Sequence, residues 1–106
     1  MYTYNATITN VVNGNTVDAD IDLGFSIVLR QRVKLYGVEI IADKETEAKE
    51  QLKDLLNGDV VIETMLNKRG KYGRIMGKLF VQDDNKQIDV NRHMVDKGLA
   101  QKFETK

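Results

Sequence analysis

The chain has 106 residues, with 16 Lys and Arg against 16 Asp and Glu, one His, and neither Cys nor Pro. That length supports one hydrophobic core, so residues 1–106 are expected to form a single domain, and the even charge balance excludes a globally basic nucleic-acid binder. Without Cys there is no disulfide framework, thiolate nucleophile or Cys-ligated zinc site, and without a long apolar run there is no helical membrane span and no membrane partner.

The amino end, Met1 to Asn5, reads as strand and not as a signal peptide, so a cytoplasmic protein is expected. Tyr4, Ala6 and Ile8 alternate with polar residues, and Asn13-Gly14 then supplies a dipeptide suited to a two-residue hairpin turn with positive φ at both central positions. A turn centred there pairs Ile8 with Ala19, Ala6 with Ile21 and Tyr4 with Leu23, all apolar. From Thr16 to Leu23 acids recur at Asp18, Asp20 and Asp22, while the following strand carries Arg30, Arg32 and Lys34. A three-residue loop, Gly24-Phe25-Ser26, sets Asp20 opposite Arg30 and Asp18 opposite Arg32, and brings Asn15 and Thr16 beside Lys34. A strict two-residue loop would put charges opposite Val and Ile unless a bulge intervened. The expectation is an antiparallel meander over about 3–12, 16–23 and 27–38, with Tyr4, Ala6, Ile8, Ala19, Ile21, Val33 and Leu35 facing the core.

After Glu39 the apolar period changes from two to 3.6. Ala48, Leu52, Leu55 and Leu56 share one stripe, Asp43 is placed as N-cap, Glu45 and Glu47 lie in the first turn and Asn57-Gly58 supplies a stop, which predicts a helix over 45–56. A fourth strand at 60–65 leads through a basic, glycine-containing segment into a fifth at 75–81, ended by the polar turn Asp83-Asp84-Asn85-Lys86. A short helix over 90–97 turns Val90, Met94 and Val95 inward and stops at Gly98. The fold class is therefore mainly β (α+β), a five-stranded OB-like barrel with a helix between strands 3 and 4 and a short C-terminal helix.

Several residues carry competing readings. Asp18, Asp20 and Asp22 resemble a metal cluster, but period-two spacing beside Arg30 and Arg32 favours cross-strand ion pairs. His93, the sole histidine, falls on a polar helix face as a solvated side chain, and Met65, Met76 and Met94 read as core filler. Lys68, Arg69, Lys71, Arg74 and Lys78 form a local basic lobe around Tyr72, with no acid between Glu63 and Asp83. Such a lobe on an OB-like barrel suits phosphate tracking with base stacking; the alternative is a solvated loop whose charges prevent edge pairing.

Four stretches in order, Asn-Gly-Asn-Thr-Val at 13–17, Val-Lys-Leu-Tyr-Gly-Val-Glu at 33–39, Lys-Tyr-Gly-Arg at 71–74 and Val-Asn-Arg-His-Met-Val-Asp-Lys-Gly-Leu-Ala at 90–100, resemble motifs of the staphylococcal nuclease (thermonuclease) family. The resemblance runs from about Tyr4 to Phe103 and implies a barrel whose active members cleave DNA and RNA phosphodiesters with the help of calcium. Their first motif resembles Asp-Gly-Asp-Thr, with the second Asp on the metal; here that position is Asn15. Their strand motif reads Arg-Leu-x-Gly-x-Asp-Thr-Pro-Glu, where Arg grips phosphate, Asp binds calcium and Glu is the proposed general base. Aligned on Gly37, this chain has Lys34 for the Arg, Glu39 for the Asp and Ala42 for the Glu; Arg74, matching a second phosphate-clamping arginine, is unchanged.

These departures point to lost catalysis. Calcium affinity follows the number of carboxylates, and Asn15 and Glu39 leave Glu39 as a weak metal candidate, so no metal or other cofactor is expected unless a weak calcium-dependent nuclease persists. Alanine cannot act as a base, and Lys34 neutralises a phosphate without clamping it as Arg does. Asp43 is one residue from Ala42 and is the possible substitute base, its other role being the helix cap. The expected function is a catalytically impaired, nuclease-like binding module for nucleic acid or a protein partner. Its contact face would comprise Asn15, Lys34, Glu39, Lys68, Arg69, Lys71, Tyr72 and Arg74. The alternatives are a weak metal-dependent nuclease using Glu39, Asp43 and Arg74, and a small phage-type regulatory or inhibitory protein that binds a host protein.

Overall fold

The computed structural model describes residues 2–57, 59–69, 75–83 and 85–102. The elements in order are β1 (Tyr2–Asn13), β2 (Thr16–Gly24), β3 (Ile27–Leu35), β4 (Val38–Ile40), a 3₁₀ turn (Ala42–Lys44), α1 (Glu45–Leu55), β5 (Asp59–Arg69), β6 (Ile75–Asp83), β7 (Lys86–Asp89), α2 (Val90–Asp96) and β8 (Ala100–Lys102). Strands β3-β2-β1-β5-β6 form a continuous antiparallel sheet, which closes on itself where β3 runs parallel to β6, Val33 facing Ile75, Lys34 facing Met76 and Leu35 facing Gly77. Closure of five strands with α1 between β3 and β5 is the OB-like barrel predicted from the sequence. β7 extends the sheet beyond β6, and β4 pairs with β8 in a separate two-stranded ladder. No described helix is long and apolar enough to cross a membrane.

The core is made by the inward parity of each strand together with one stripe of each helix. Val17, Val33, Leu35, Ile62 and Leu79 are fully buried in the barrel, and Ala48 and Leu52 of α1 and Val90 and Met94 of α2 are buried with them. Full burial of each large aliphatic side chain stabilises by about 1.5–3 kcal/mol, so these positions carry most of the driving force. Ala6, Ala19, Ile21, Val33 and Leu35 are buried as expected, and Tyr4 and Ile8 pack, partly buried, against the same cluster. Met76 and Met94 are core residues as read; the side chain of Met65 lies outside the described residues.

Between β2 and β3 the expected pairs form: Asp20 faces Arg30, Asp18 faces Arg32 and Thr16 faces Lys34. The loop, however, has two residues and not three. Phe25 and Ser26 take φ of 55° and 62°, Gly24 takes 86°, and a register shift between Asp22 and Gly24 absorbs the odd residue. That bulge lets a tight turn with positive φ at both centres keep every charge on the outer face.

The β1–β2 turn is corrected by one position. Asn13 faces Thr16, so Gly14 and Asn15 are the turn residues, and neither Asn13 nor Gly14 has positive φ. Two irregularities, between Val11 and Asn13 and between Ile8 and Asn10, then restore the expected partners Ile8–Ala19 and Ala6–Ile21. Tyr4 and Leu23 are not partners; pairing stops at Ala6–Ile21, and Leu23 remains 41% exposed as the β2–β3 hairpin runs past the barrel. Gly14 is needed for space: a Cβ there would stand 2.8 Å from Ala48 Cβ and 3.0 Å from Ile40 Cγ1.

Strand β3 ends at Leu35, short of 38, because Gly37, at φ 77°, turns the chain into β4. Asp43 does not cap α1. It lies inside the 3₁₀ turn, and Lys44 holds the N-cap position without a side-chain cap bond. Extended Ile41 starts the turn three residues early through the bond from Lys44 N to Ile41 O at 2.8 Å, which carries Asp43 past the capping geometry. The stop assigned to Gly58 falls outside the described residues. For α2, Asp89 accepts the Arg92 amide as N-cap, and Gly98 at φ 74° ends the helix with paired bonds, Leu99 N to Met94 O and Gly98 N to Val95 O.

Candidate functional site

Hairpin register places Asn15 and Lys34 together at one end of β2. Asn15, in the β1–β2 turn, accepts the Leu35 amide through its backbone oxygen at 2.8 Å, and Thr16 faces Lys34, so the turn residue Asn15 lies beside the end of β3 that carries half-buried Lys34. Past the Gly37 bend, Glu39 is exposed on β4 opposite Gln101, and exposed Ala42 and Asp43 follow in the 3₁₀ turn. Lys71, Tyr72 and Arg74 lie outside the described residues, as do the side chains of Lys68 and Arg69, although β5 carries the backbone of both and Arg69 faces Ile75. Lys78, counted in the basic lobe, faces Glu63 across β5 and β6 and so has an acid as its neighbour.

Both amide oxygens of the β1–β2 turn, Asn13 Oδ1 and Asn15 Oδ1, are engaged within the fold. Asn15 Oδ1 accepts from Thr16 Oγ1 at 3.1 Å, Asn13 Oδ1 accepts from Asn15 N at 3.0 Å, and Glu45 Oε1 accepts from Gly14 N at 2.6 Å. Short, charge-assisted bonding of the last kind ties the first turn of α1 to the turn that carries Asn15. Among the described residues no group of three or more His, Cys, Asp or Glu side chains is placed to hold a metal ion. Asp18 and Asp20 are instead committed to two-point ion pairs: Arg32 Nε and Nη2 reach Asp18 at 2.9 and 3.4 Å, and Arg30 Nε and Nη2 reach Asp20 at 2.8 and 3.2 Å. Hydrogen bonding to these guanidiniums holds both carboxyls below the usual carboxylate range.

Two residues that position the site were not singled out. Glu45 had a helix-dipole role to explain it, and its partner Gly14 is remote in sequence. Asn91 is buried at 4% exposure; its Nδ2 donates to Tyr36 O at 2.8 Å and Gly77 O at 3.2 Å, while its Oδ1 accepts from Leu79 N at 3.2 Å. One amide thus fastens α2 to β6 and to the bend that follows Lys34. The available signal was an amide three residues from Met94 on the inward side of a short helix. His93 is also corrected: it is half-buried, with Nε2 3.1 Å from Gln51 Nε2 of α1, and burial pushes its pKa down.

A family model described as "Staphylococcal nuclease homologue" matches residues 33–106. The chain belongs to the staphylococcal nuclease family. The matched span starts in β3, so β1, β2 and the Asn15 turn precede it, yet they complete the same barrel. A search of curated proteins finds no match for the chain.

Proposed function

We propose that this staphylococcal nuclease-like domain is catalytically impaired and acts as a binding module, with nucleic acid as its ligand, through the face that carries Asn15, Lys34, Glu39, the basic segment Lys68 to Lys71, Tyr72 and Arg74. The observation that carries this reading is Ala42. On the motif alignment a methyl group, exposed, takes the position of the general base; Asp43 beside it is exposed in the 3₁₀ turn, and Glu45, the first acid of α1, has an oxygen bound to Gly14. General-base catalysis contributes roughly 10²–10⁴-fold, and a methyl group contributes none of it.

The residues present do not fit a calcium site of the family kind. Asn15 brings no charge and its side-chain oxygen accepts from Thr16, which leaves Glu39 as the one carboxylate at the two aligned metal positions. Hard divalent cations are held by several oxygens with affinity that rises with carboxylate number, so no step is assigned to a metal here. What the face retains is positive charge: Lys34 on β3 and, on the sequence alignment, Arg74 and the basic lobe with Tyr72. Cations that follow a phosphate backbone beside an aromatic give sequence-tolerant, salt-sensitive binding.

Titrating labelled single-stranded and duplex nucleic acid against salt tests the proposal. The expected outcome is binding that weakens steeply with salt, with Lys34→Ala and Arg74→Ala each lowering the slope by roughly one. Absence of any salt-dependent binding transfers the face to a protein partner, as in the regulatory alternative. Cleavage that survives repurification and is lost in Arg74→Ala overturns the impaired-enzyme reading in favour of the weak nuclease.

A further inference from the structure

The β2–β3 hairpin bears a feature that nucleic-acid binding does not use. Strand β3 is paired with β2 along its length but with β6 only over Val33 to Leu35, so among the described residues no strand lies beyond β3 from Ile27 to Arg30. Leu35 N points to β2, bonding Asn15 O, and Tyr36 N points the other way, bonding Gly77 O. Alternation along the strand then turns the backbone N–H and C=O of Val28 and Arg30 outward. The same segment is apolar and exposed: Leu23 at 41%, Phe25 at 99%, Ile27 at 55%, Val28 at 61% and Leu29 at 40%. Natural edge strands are normally guarded by charge, Pro or short length, and a flat apolar edge is a template for another strand.

We infer that this edge is where two copies of the chain pair, strand β3 against strand β3, about a two-fold axis passing through Val28. The charge pattern selects the occupant. Arg30 and Arg32 are tied back to Asp20 and Asp18 across β2, so the edge meets its own copy without net repulsion. An antiparallel pairing centred on Val28 sets Ile27 against Leu29 of the copy and Ser26 against Arg30, with no like charges opposed, and it matches outward backbone groups with outward backbone groups. Centring on Leu29 would set Val28 against Arg30, and centring on Arg30 would set two guanidiniums face to face. Asn15 and Lys34 lie at the far end of β2 from Phe25, so the pairing leaves the binding face open and does not depend on the function assigned to it.

Sedimentation velocity of the full chain over a concentration series tests the inference. A dimer is expected, and Val28→Lys or Val28→Glu alone is expected to sediment as a monomer with the wild-type circular dichroism spectrum, since each sets like charges against each other on the axis. Mixing the two variants in equal amounts is expected to restore the dimer, because residue 28 then meets the opposite charge, an outcome that misfolding or another interface would not produce. A wild-type chain that stays monomeric up to about 1 mM overturns the inference. So do variants that still form dimers alone and a mixture that stays monomeric.

Discussion

Replacing Asn91 by Ala removes three hydrogen bonds at once, and the structure lets the cost be apportioned. Gly77 O keeps a second donor, the Tyr36 amide at 2.8 Å, so its loss is partial. Tyr36 O and Leu79 N have no such substitute among the bonds described, and with Asn91 4% exposed, water reaches neither easily. Two buried backbone groups left unpaired, at about 1–3 kcal/mol each, give a destabilisation of about 2–6 kcal/mol, a large share of the stability of a domain this size. Urea unfolding followed by circular dichroism measures it, with the m-value unchanged. Asn91→Asp sharpens the test. At neutral pH the introduced carboxylate faces two carbonyl oxygens and donates to neither, so it should cost more than Ala and recover as acid protonates it. A loss below about 1 kcal/mol for Asn91→Ala would refute the assignment of this amide as the fastening of the Tyr36 bend. Folded variant protein should also bind nucleic acid more weakly, since the bend follows directly on Lys34.

Gly14→Ala drives a methyl group to 2.8 Å from Ala48 Cβ and should cost about 1–3 kcal/mol; a double-mutant cycle with Ala48→Gly should return part of it. Because burial lowers the His93 pKa, the unfolded chain binds this proton more readily, so stability is fully present above the ordinary histidine value and falls as pH drops through it. Melting curves from pH 7.5 down to pH 5.5 should show that fall, flattened in His93→Gln, with the Asp18 and Asp20 pairs still ionised throughout the window (about two units of pH). Millimolar calcium should change stability by less than ~0.5 kcal/mol and support no cleavage of denatured DNA; a clear rise in melting temperature would count against the degenerate-site reading.

The barrel was legible because independent cues coincided: acids at Asp18 and Asp20 could face Arg30 and Arg32 only in one register, and that register also buried Ile21 and Val33. Details governed by space were not legible. Asn13-Gly14 has the composition of a positive-φ turn, but the glycine is spent on clearance from Ala48, and the turn moves on to Asn15. Asp43 had the right chemistry for a cap and was displaced by the 3₁₀ turn that Ile41 begins. β7 and β8, of four and three residues, are too short to show a period and exist through their partners β6 and β4. At the site, sequence could mark Asn15 and Lys34 as neighbours through hairpin register. The fastenings by Glu45 and Asn91 join residues distant in the chain, and no local pattern announces such pairs.

The parallel β3–β6 contact has a kinetic consequence. The two hairpins of the meander close over short loops, events that take about 1–10 μs in isolation, while Val33 and Ile75 meet only after the whole of α1 and β5 has been laid down between them. Loop-closure entropy therefore favours the two hairpins over the seam in order of formation. It is short, and Asn91 must be in place on α2 before the Tyr36 carbonyl there is satisfied. The seam is thus expected to close after the two hairpins of the meander, and Lys34, which faces Met76 across it, lies on it.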